Sequence, residues 1–220
     1  PATGEVISET PDGGAGMAEA ALAAARAAAP GWAMTPAIER GRAVQALAKA
    51  GRDNAETYAR IITAEQGKPI GQARGEVAAC AEFLSHAASG ARRISGDIVA
   101  SDNRNEEIHI RRHPYGVVVA LTAWNYPAAL ATRKAGPALV AGNPFILLGH
   151  EITPFAGLYL AALSERKRGE FERRLNHTVP AKLAKTLVAH KKALSYLGYG
   201  LNQGEGFVVI TGVPHASASY

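Results

Sequence analysis

The stretch Gly116-Val-Val-Val-Ala-Leu-Thr-Ala-Trp-Asn-Tyr-Pro127 decides the fold class. Its valine-rich apolar run, residues 117–121, is typical of a strand buried on both faces of a parallel sheet. The sequence that follows predicts a helix over residues 126–141, a second buried strand over 145–148 and another helix over 153–163. Strands and helices that alternate at this spacing predict a doubly wound parallel sheet.

The sequence before this stretch predicts helices. An alanine-rich helix over residues 17–29 is expected to stop at Pro30-Gly31. Thr35 is the expected N-cap of a long helix to about residue 65, with Pro36 in its first helical position. A second long helix is expected over residues 70–93, with Cys80 as a small core residue.

A change of period follows these helices. Residues 97–100 and 107–112 flank a polar turn, and Ile108 and Ile110 alternate with polar side chains. This alternation predicts a two-stranded ribbon. The predicted fold class is therefore α/β, with N-terminal helices and a β-ribbon leading into a truncated, Rossmann-like, doubly wound parallel sheet.

The chain divides into three predicted regions. Residues 1–113 form the helical region with the ribbon, residues 114–163 form a partial dinucleotide-binding βαβα unit, and residues 164–220 form a basic tail. In the tail we expect helices over 166–175 and 181–197 and a short buried strand over 207–210.

Composition and charge limit the possible functions. The 220 residues carry a net charge of +5, and the basic excess lies in residues 164–192. A basic helical stretch is more often a solvated face than a nucleic-acid site, and no aromatic stacking pattern accompanies it. Nucleic acid is therefore not an expected partner. No apolar run reaches the roughly 20 residues of a membrane span, so a membrane partner is not expected either.

The cysteine content predicts the compartment. Cys80 is the one cysteine of the sequence, so no disulfide can form within the chain. A reducing cytoplasm is the expected location. No metal site is predicted.

Two clusters of candidate binding residues follow the two predicted strands. Trp124 and Asn125 end the first strand, and His150 and Glu151 follow the second. Because ligands of open parallel sheets bind beyond the carboxyl ends of the strands, both clusters are expected to line one crevice. Glu151 could accept a hydrogen bond from a ribose hydroxyl. Alternatively, it could simply be a negative charge at a helix N-terminus, where the helix dipole favours it. Trp124 could form an apolar wall, or be a core aromatic residue.

Four segments in the right order resemble aldehyde dehydrogenases, in a form similar to the succinate-semialdehyde and lactaldehyde enzymes. The resemblance covers the amino-terminal part of that family and about three-quarters of this chain. The segments are Glu65-Gln-Gly-Lys-Pro-Ile-Gly-Gln-Ala-Arg-Gly-Glu-Val77, the quoted strand with its Trp-Asn-aromatic-Pro motif, Arg133-Lys-Ala-Gly-Pro-Ala-Leu-Val-Ala-Gly-Asn143 and Glu151-Ile-Thr-Pro154.

The resemblance implies binding of NAD or NADP and oxidation of a small aldehyde to a carboxylate. It implies that Asn125 is catalytic, donating its side-chain amide to the oxyanion, an interaction worth about 3 kcal/mol. On the sequence alone, Asn125 could instead cap the next helix. The implied cofactor-binding residues lie at the ends of the two strands: Thr122, Ala123, Trp124, Asn125, Leu148, Gly149, His150 and Glu151.

Several positions depart from the family pattern. Leu148 stands where a lysine usually holds the adenosine ribose, and Gly149-His150 replaces the common Pro-Ser or Pro-Ala. The loss of that cation predicts weakened cofactor binding, which His150 could partly restore. Ala123 replaces the usual proline of the Thr-Pro-Trp-Asn motif, a milder change.

The family's nucleophilic cysteine and deacylating carboxylate are not found, since no cysteine follows Cys80. The isolated chain is therefore expected to be inactive, and to use an aldehyde only when completed by a catalytic domain. The family's C-terminal oligomerisation strand is also not found. A homo-oligomer or a partner chain is expected.

The tail leaves alternatives open. Gly204-Glu-Gly-Phe-Val-Val-Ile-Thr-Gly212 fits either the next nucleotide-binding strand, displaced by an insertion, or the opening strand of 2-oxoglutarate-dependent oxygenases. The iron-binding His-x-Asp motif that such oxygenases need does not follow, because His215 precedes Ala216-Ser217. The alternatives to an enzyme portion are a non-catalytic nucleotide-binding module and an interaction module that uses the basic tail.

Overall fold

The computed structural model describes residues 1–7, 10 and 13–164, and the backbone of residues 207–211. Helices form the first part of the chain, and strands alternate with helices in the second part. The elements are α1 Gly14–Met34, α2 Ala37–Asp53, α3 Ala55–Gln66, α4 Ile70–Ser89, a 3₁₀ turn Gly90–Arg93, β1 Asp97–Ala100, β2 Glu107–Ile110, β3 Val118–Leu121, α5 Pro127–Val140, β4 Phe145–Gly149, α6 Pro154–Ser164 and β5 Phe207–Thr211.

The first helix runs past its predicted stop. Helix α1 continues through Pro30 to Met34, whereas the sequence predicts an end at Pro30-Gly31. An interior proline removes one backbone hydrogen bond. The last turn is anchored instead by Trp32, which is buried and donates its indole N–H to the carbonyl of Leu139 at 3.0 Å. A tertiary contact here overrides the local signal.

The junctions around α2 also differ from the prediction. Thr35 is not the N-cap of α2, because its hydroxyl donates to the carbonyl of Gly31, 3.0 Å away, at the end of α1. Pro36 occupies the N-cap position instead of the first helical position. The single predicted helix over residues 35–65 is broken at Asn54, whose side-chain amide donates to the carbonyl of Ala50 at 2.8 Å. Such a local side-chain bond competes with continuation of the helix.

The parallel sheet is confirmed. Strands β3 and β4 pair in parallel, with Val119 opposite Ile146. The backbone of β5 pairs in parallel with the other edge of β4, and the described strand order is β3-β4-β5. Residues 207–211 therefore extend the parallel sheet, as expected for the next nucleotide-binding strand.

Strand β3 is not buried on both faces, which corrects the prediction from its valine run. Val119 and Leu121 are 56% and 64% exposed. They share a sheet face with Ile146, their neighbour on β4, because residues paired in a parallel register point the same way. In the described part of the chain, alanines of α1 pack on Ile146, whereas β3 lies at the edge of the described sheet.

The predicted ribbon is confirmed. Strands β1 and β2 pair antiparallel, and Val99 lies opposite Ile108. All eight residues of the two strands are exposed. The ribbon therefore presents apolar side chains to solvent.

One core joins the helices to the sheet. Tyr58 of α3 is fully buried, lies 5.0 Å from the Tyr159 ring and donates its hydroxyl to the carbonyl of Ala156 at 2.8 Å. Cys80 lies in the same core, as predicted. This core includes residues before and after position 114, so packing is continuous across the predicted boundary at 113/114. The boundary stays a prediction from the sequence. The predicted tail helices over 166–175 and 181–197 lie outside the described residues.

Candidate functional site

The carboxyl ends of β3 and β4 lie side by side. The register pairs Leu121 with Leu148, and both the amide and the hydroxyl of Thr122 donate to the carbonyl of Leu148, at 3.2 and 3.3 Å. The two predicted clusters therefore begin at adjacent points of one sheet edge, as the sequence predicts.

The turns that leave the two strands contact each other. The rings of Trp124 and His150 have centroids 5.0 Å apart and meet edge to face. Trp124 is 51% exposed, so it is not the core aromatic residue that the sequence also allowed. An exposed indole braced by an imidazole forms a flat apolar surface beside the sheet edge.

Asn125 is exposed and lies two residues before Pro127, the first residue of helix α5, with Tyr126 at the N-cap position. The amides of Ala128 and Ala129, in the first turn of that helix, donate to the carboxylate of Glu76 at 2.9 and 3.2 Å. A residue of α4 therefore caps α5, and Asn125 is not needed for capping. Its amide is presented to solvent at the end of β3, beside Trp124.

Glu76 is half of a buried ion pair. Its other carboxylate oxygen accepts a hydrogen bond from the ammonium of Lys68, and the side chains are 0% and 8% exposed. Lys68 also donates to the carbonyl of Asn125 at 2.7 Å and lies 3.9 Å from the centroid of the Tyr126 ring. A buried charge needs such partners, because desolvation strongly penalises an isolated ion.

The last residue of α3, Gln66, makes a second contact with this turn. Gln66 donates its side-chain amide to the carbonyl of Trp124 at 2.6 Å. Gly67 lies between Gln66 and Lys68 with φ of +78°, a left-handed conformation that glycine adopts without steric cost. The turn at Gly67 thus aims two neighbouring side chains at two neighbouring carbonyls.

Glu65 binds the start of α6, the helix that follows β4. Its two carboxylate oxygens accept hydrogen bonds from the amides of Phe155 and Ala156, at 2.7 and 2.9 Å, in the first turn of α6. Burial raises the pKa of Glu65 to about 8, although the two backbone donors favour its charged form. Glu65 therefore caps the first turn of α6.

The sequence segment 65–77 was recognised for its family resemblance, but these contacts were not predicted from it. Lys68 and Glu76 lie more than fifty residues before the amides and carbonyls that they bind. The available signal was a lysine and a glutamate eight residues apart, in a segment that also carries Glu65 and Arg74. That pattern does not specify a partner.

The remaining predicted cofactor-binding residues occupy the sheet edge and its turn. Leu148 is half-buried and packs beside Ile146 in the cluster under α1. Gly149 is buried as the last residue of β4, while Ala123 and Glu151 are half-buried in the two turns. These side chains are close to the crevice, and their binding roles stay predictions.

Neither a metal nor a reactive thiol is indicated here. Among the described residues 1–7, 10 and 13–164, no group of three or more His, Cys, Asp or Glu is placed to hold a metal ion. Burial raises the pKa of the Cys80 thiol to about 12, so the thiol stays protonated. Within the same described part, none of the helices is long and apolar enough to span a bilayer.

Comparison with known proteins gives a consistent result. A family model described as "Aldehyde dehydrogenase family" matches residues 1–194. The 3,6-anhydro-alpha-L-galactose dehydrogenase of Vibrio sp. (strain EJY3) is 45% identical over 166 residues, which are 76% of this chain and 35% of that protein. The chain spans about a third of the length of the curated relatives it matches.

Solved structures agree. A succinate-semialdehyde dehydrogenase from Burkholderia pseudomallei superposes with a TM-score of 0.78 at 34% identity, covering 97% of this chain and 38% of that one. A 3,6-anhydro-L-galactose dehydrogenase in complex with NAP superposes with a TM-score of 0.73 at 37% identity, covering 95% and 37%. The α/β architecture derived above is therefore shared with these enzymes.

Proposed function

Because the chain belongs to the aldehyde dehydrogenase family, we propose that its sheet edge forms the cofactor side of an aldehyde-oxidising site. The observation that carries this proposal is the exposed Asn125 at the carboxyl end of β3, beside the contact between Trp124 and His150. The turns of two parallel strands meet there, which is the usual place for a ligand in such sheets.

The residues of this crevice fit a nicotinamide dinucleotide. The exposed face of Trp124 offers an apolar wall. Glu151, half-buried in the turn after β4, would accept a hydrogen bond from a ribose hydroxyl. NAD or NADP would lie along Thr122, Ala123 and Gly149, where the two strands end. Leu148 supplies no cation for the ribose, so we expect weaker binding than a lysine there would give. The cofactor, when bound, would accept a hydride from the substrate.

Asn125 would act on the substrate itself. A side-chain N–H placed before charge develops stabilises an oxyanion without reorganising during the reaction. The amide of Asn125 is suited to this task because Glu76 already caps α5 and Lys68 holds the Asn125 carbonyl.

The reaction also needs a thiolate, and these 220 residues do not supply one. Cys80 is buried in α4 with a raised pKa. Turnover would therefore require a catalytic domain that contributes the cysteine and a carboxylate to activate water. Without it, the chain would act as a nucleotide-binding module.

The cellular setting of this proposal follows from two features. The exposed apolar side chains of the ribbon, such as Ile98 and Ile110, are suited to assembly with further copies or a partner chain. A single cysteine is consistent with a reducing cytoplasm.

Calorimetric titration of the chain with NAD and NADP tests the proposal. We expect saturable binding that weakens on Glu151→Gln, while Glu107→Gln on the exposed ribbon leaves it unchanged. An absence of binding at about millimolar cofactor, well above the level that typical affinities require, would refute cofactor binding.

A second measurement concerns turnover. The chain alone is expected to reduce no NAD with acetaldehyde, lactaldehyde or succinate semialdehyde. In an assembly that supplies the thiolate, Asn125→Ala should lower kcat by about 10²–10³-fold and leave cofactor affinity unchanged. Turnover by the chain alone that is lost on Asn125→Ala would show that the thiolate requirement is wrong.

A further inference from the structure

We propose that Lys68 is a positioning residue for Asn125, and that Glu76 holds Lys68 in place for this purpose. The inference rests on the proposed role of Asn125 and identifies what orients it. Lys68 lies in the α3–α4 connector, residues 67–69. This connector would thus orient Asn125, a role that the Trp-Asn-aromatic-Pro motif does not indicate.

Lys68 binds the residue that it is proposed to position. Its ammonium donates to the carbonyl of Asn125 itself at 2.7 Å. The residues on either side are held from the same direction, because Gln66 donates to the Trp124 carbonyl at 2.6 Å and Lys68 lies over the Tyr126 ring. Three consecutive residues of the turn are therefore fixed through their backbone or ring, and the Asn125 side chain is left exposed.

The ion pair of Lys68 and Glu76 is a rigid anchor. The side chains of Lys68 and Glu76 are almost wholly buried, and each ion is the other's partner. Lysine has three donors and a flexible stem, so it holds one direction only when its head group has fixed acceptors. Here the acceptors are Glu76 and the Asn125 carbonyl. A fixed ammonium therefore fixes the peptide unit that bears the Asn125 side chain.

The two oxygens of the Glu76 carboxylate bind different parts of the site. Glu76 caps α5 through Ala128 and Ala129 with one carboxylate oxygen, and binds Lys68 with the other. The capping bonds do not require Lys68. The contact that Lys68 adds is with Asn125, so its removal should disturb that turn more than the helix behind it.

The test is a comparison of amide NMR spectra of the whole chain carrying Lys68→Met or Lys68→Arg. The Asn125 side-chain resonances are assigned from their loss in Asn125→Ala. We expect Lys68→Met to shift the Asn125 side-chain and backbone resonances, and Lys68→Arg, which keeps a cationic donor, to restore them in large part. The indole resonance of Trp32 in the helical core should not move.

Lys134 offers a matched control. Its ammonium donates to the carbonyl of Leu121 at 2.6 Å, at the same end of β3 but four residues earlier. Lys134→Met should shift Leu121 and leave Asn125 unchanged. If Lys134→Met moves Asn125 as far as Lys68→Met does, the effect is a general loosening of the sheet edge and the proposal is wrong.

Lys68→Met leaves Glu76 buried without its partner and could prevent folding. The double variant Lys68→Met with Glu76→Gln removes both charges and keeps an oxygen acceptor for the α5 amides. In this folded double variant the Asn125 resonances should still shift, and unmoved resonances would overturn the proposal. A shift in Asn125 together with an unchanged kcat for Asn125→Ala in an assembly that supplies the thiolate would instead refute the proposed role of Asn125 and leave the positioning intact.

Discussion

Replacing Glu65 with glutamine should flatten the pH dependence of folding stability between about pH 5 and pH 8. Burial raises the pKa of Glu65 from an ordinary value of 4.5 to about 8 in the folded chain. Between these values the folded state binds a proton that the unfolded state has released. The free energy of unfolding therefore falls as pH rises through this range. The contribution of Glu65 is fully present below about pH 4.5 and is lost above about pH 8.

The size of this effect follows from the same two values. One pKa unit corresponds to about 1.4 kcal/mol, so the interval from 4.5 to about 8 sets an upper bound of roughly 5 kcal/mol on the loss. Glutamine cannot ionise, yet it keeps one oxygen to accept from either the Phe155 or the Ala156 amide. Glu65→Gln should thus be the more stable form near pH 8, and wild type should equal or exceed it near pH 5.

Urea unfolding followed by circular dichroism at several pH values measures the difference. The matched control is Glu56→Gln, which removes a carboxylate at a position outside this contact. Glu56 is exposed, and its hydrogen bonds with Arg74 and Arg60 lower its pKa to about 2. This control should keep the wild-type slope from about pH 5 to pH 8. If Glu65→Gln also keeps that slope, Glu65 is ionised throughout and the reasoning from burial is wrong.

Three further predictions concern the frame of the site. Trp32→Phe removes the donor to the buried carbonyl of Leu139 and should cost about 1–3 kcal/mol in urea unfolding; no loss would mean that the bond contributes nothing. Gly67→Ala, at φ of +78°, should lower stability by about 1 kcal/mol or more. In contrast, Gly71→Ala in α4, where a new Cβ meets no atom within 4 Å, should raise it by about 0.5–1 kcal/mol. Cys80, buried with a raised pKa, should react with a disulfide reagent only in denaturant, and rapid reaction of the native chain would contradict its placement in the core.

The sequence was most informative where local pattern and tertiary structure agree. The valine run before Thr122 and the apolar run before Gly149 were both predicted correctly as parallel strands, because each run is too short for a helix, is flanked by glycine or proline and contains β-branched residues. The ends of these strands then located the crevice, since topology alone brings them together. The contact of Trp124 with His150 followed from that placement.

The errors occurred where distant residues decide a local outcome. Pro30 should end a helix, but Trp32 binds a carbonyl on α5 and the helix continues. Val119 is an apolar residue of a type that is usually buried. Its exposure depends on what packs over the edge of the sheet. The bonds of Lys68 and Glu76 link segments more than fifty residues apart, and no local period encodes such a pairing.

The α3–α4 connector has a consequence for how this protein can vary. Glu65, Gln66 and Lys68 are close in sequence but bind two different segments. Glu65 binds the start of α6, after β4, whereas Gln66 and Lys68 bind the turn after β3. Inserting any one residue at Gly67 would displace Lys68 relative to Glu65 and Gln66. The contact of Lys68 with the Asn125 carbonyl could then no longer form together with the contacts of Glu65 and Gln66. Chain length at this point should therefore be invariant, whereas the solvent-exposed turn of the ribbon at Asp102 is free to lengthen.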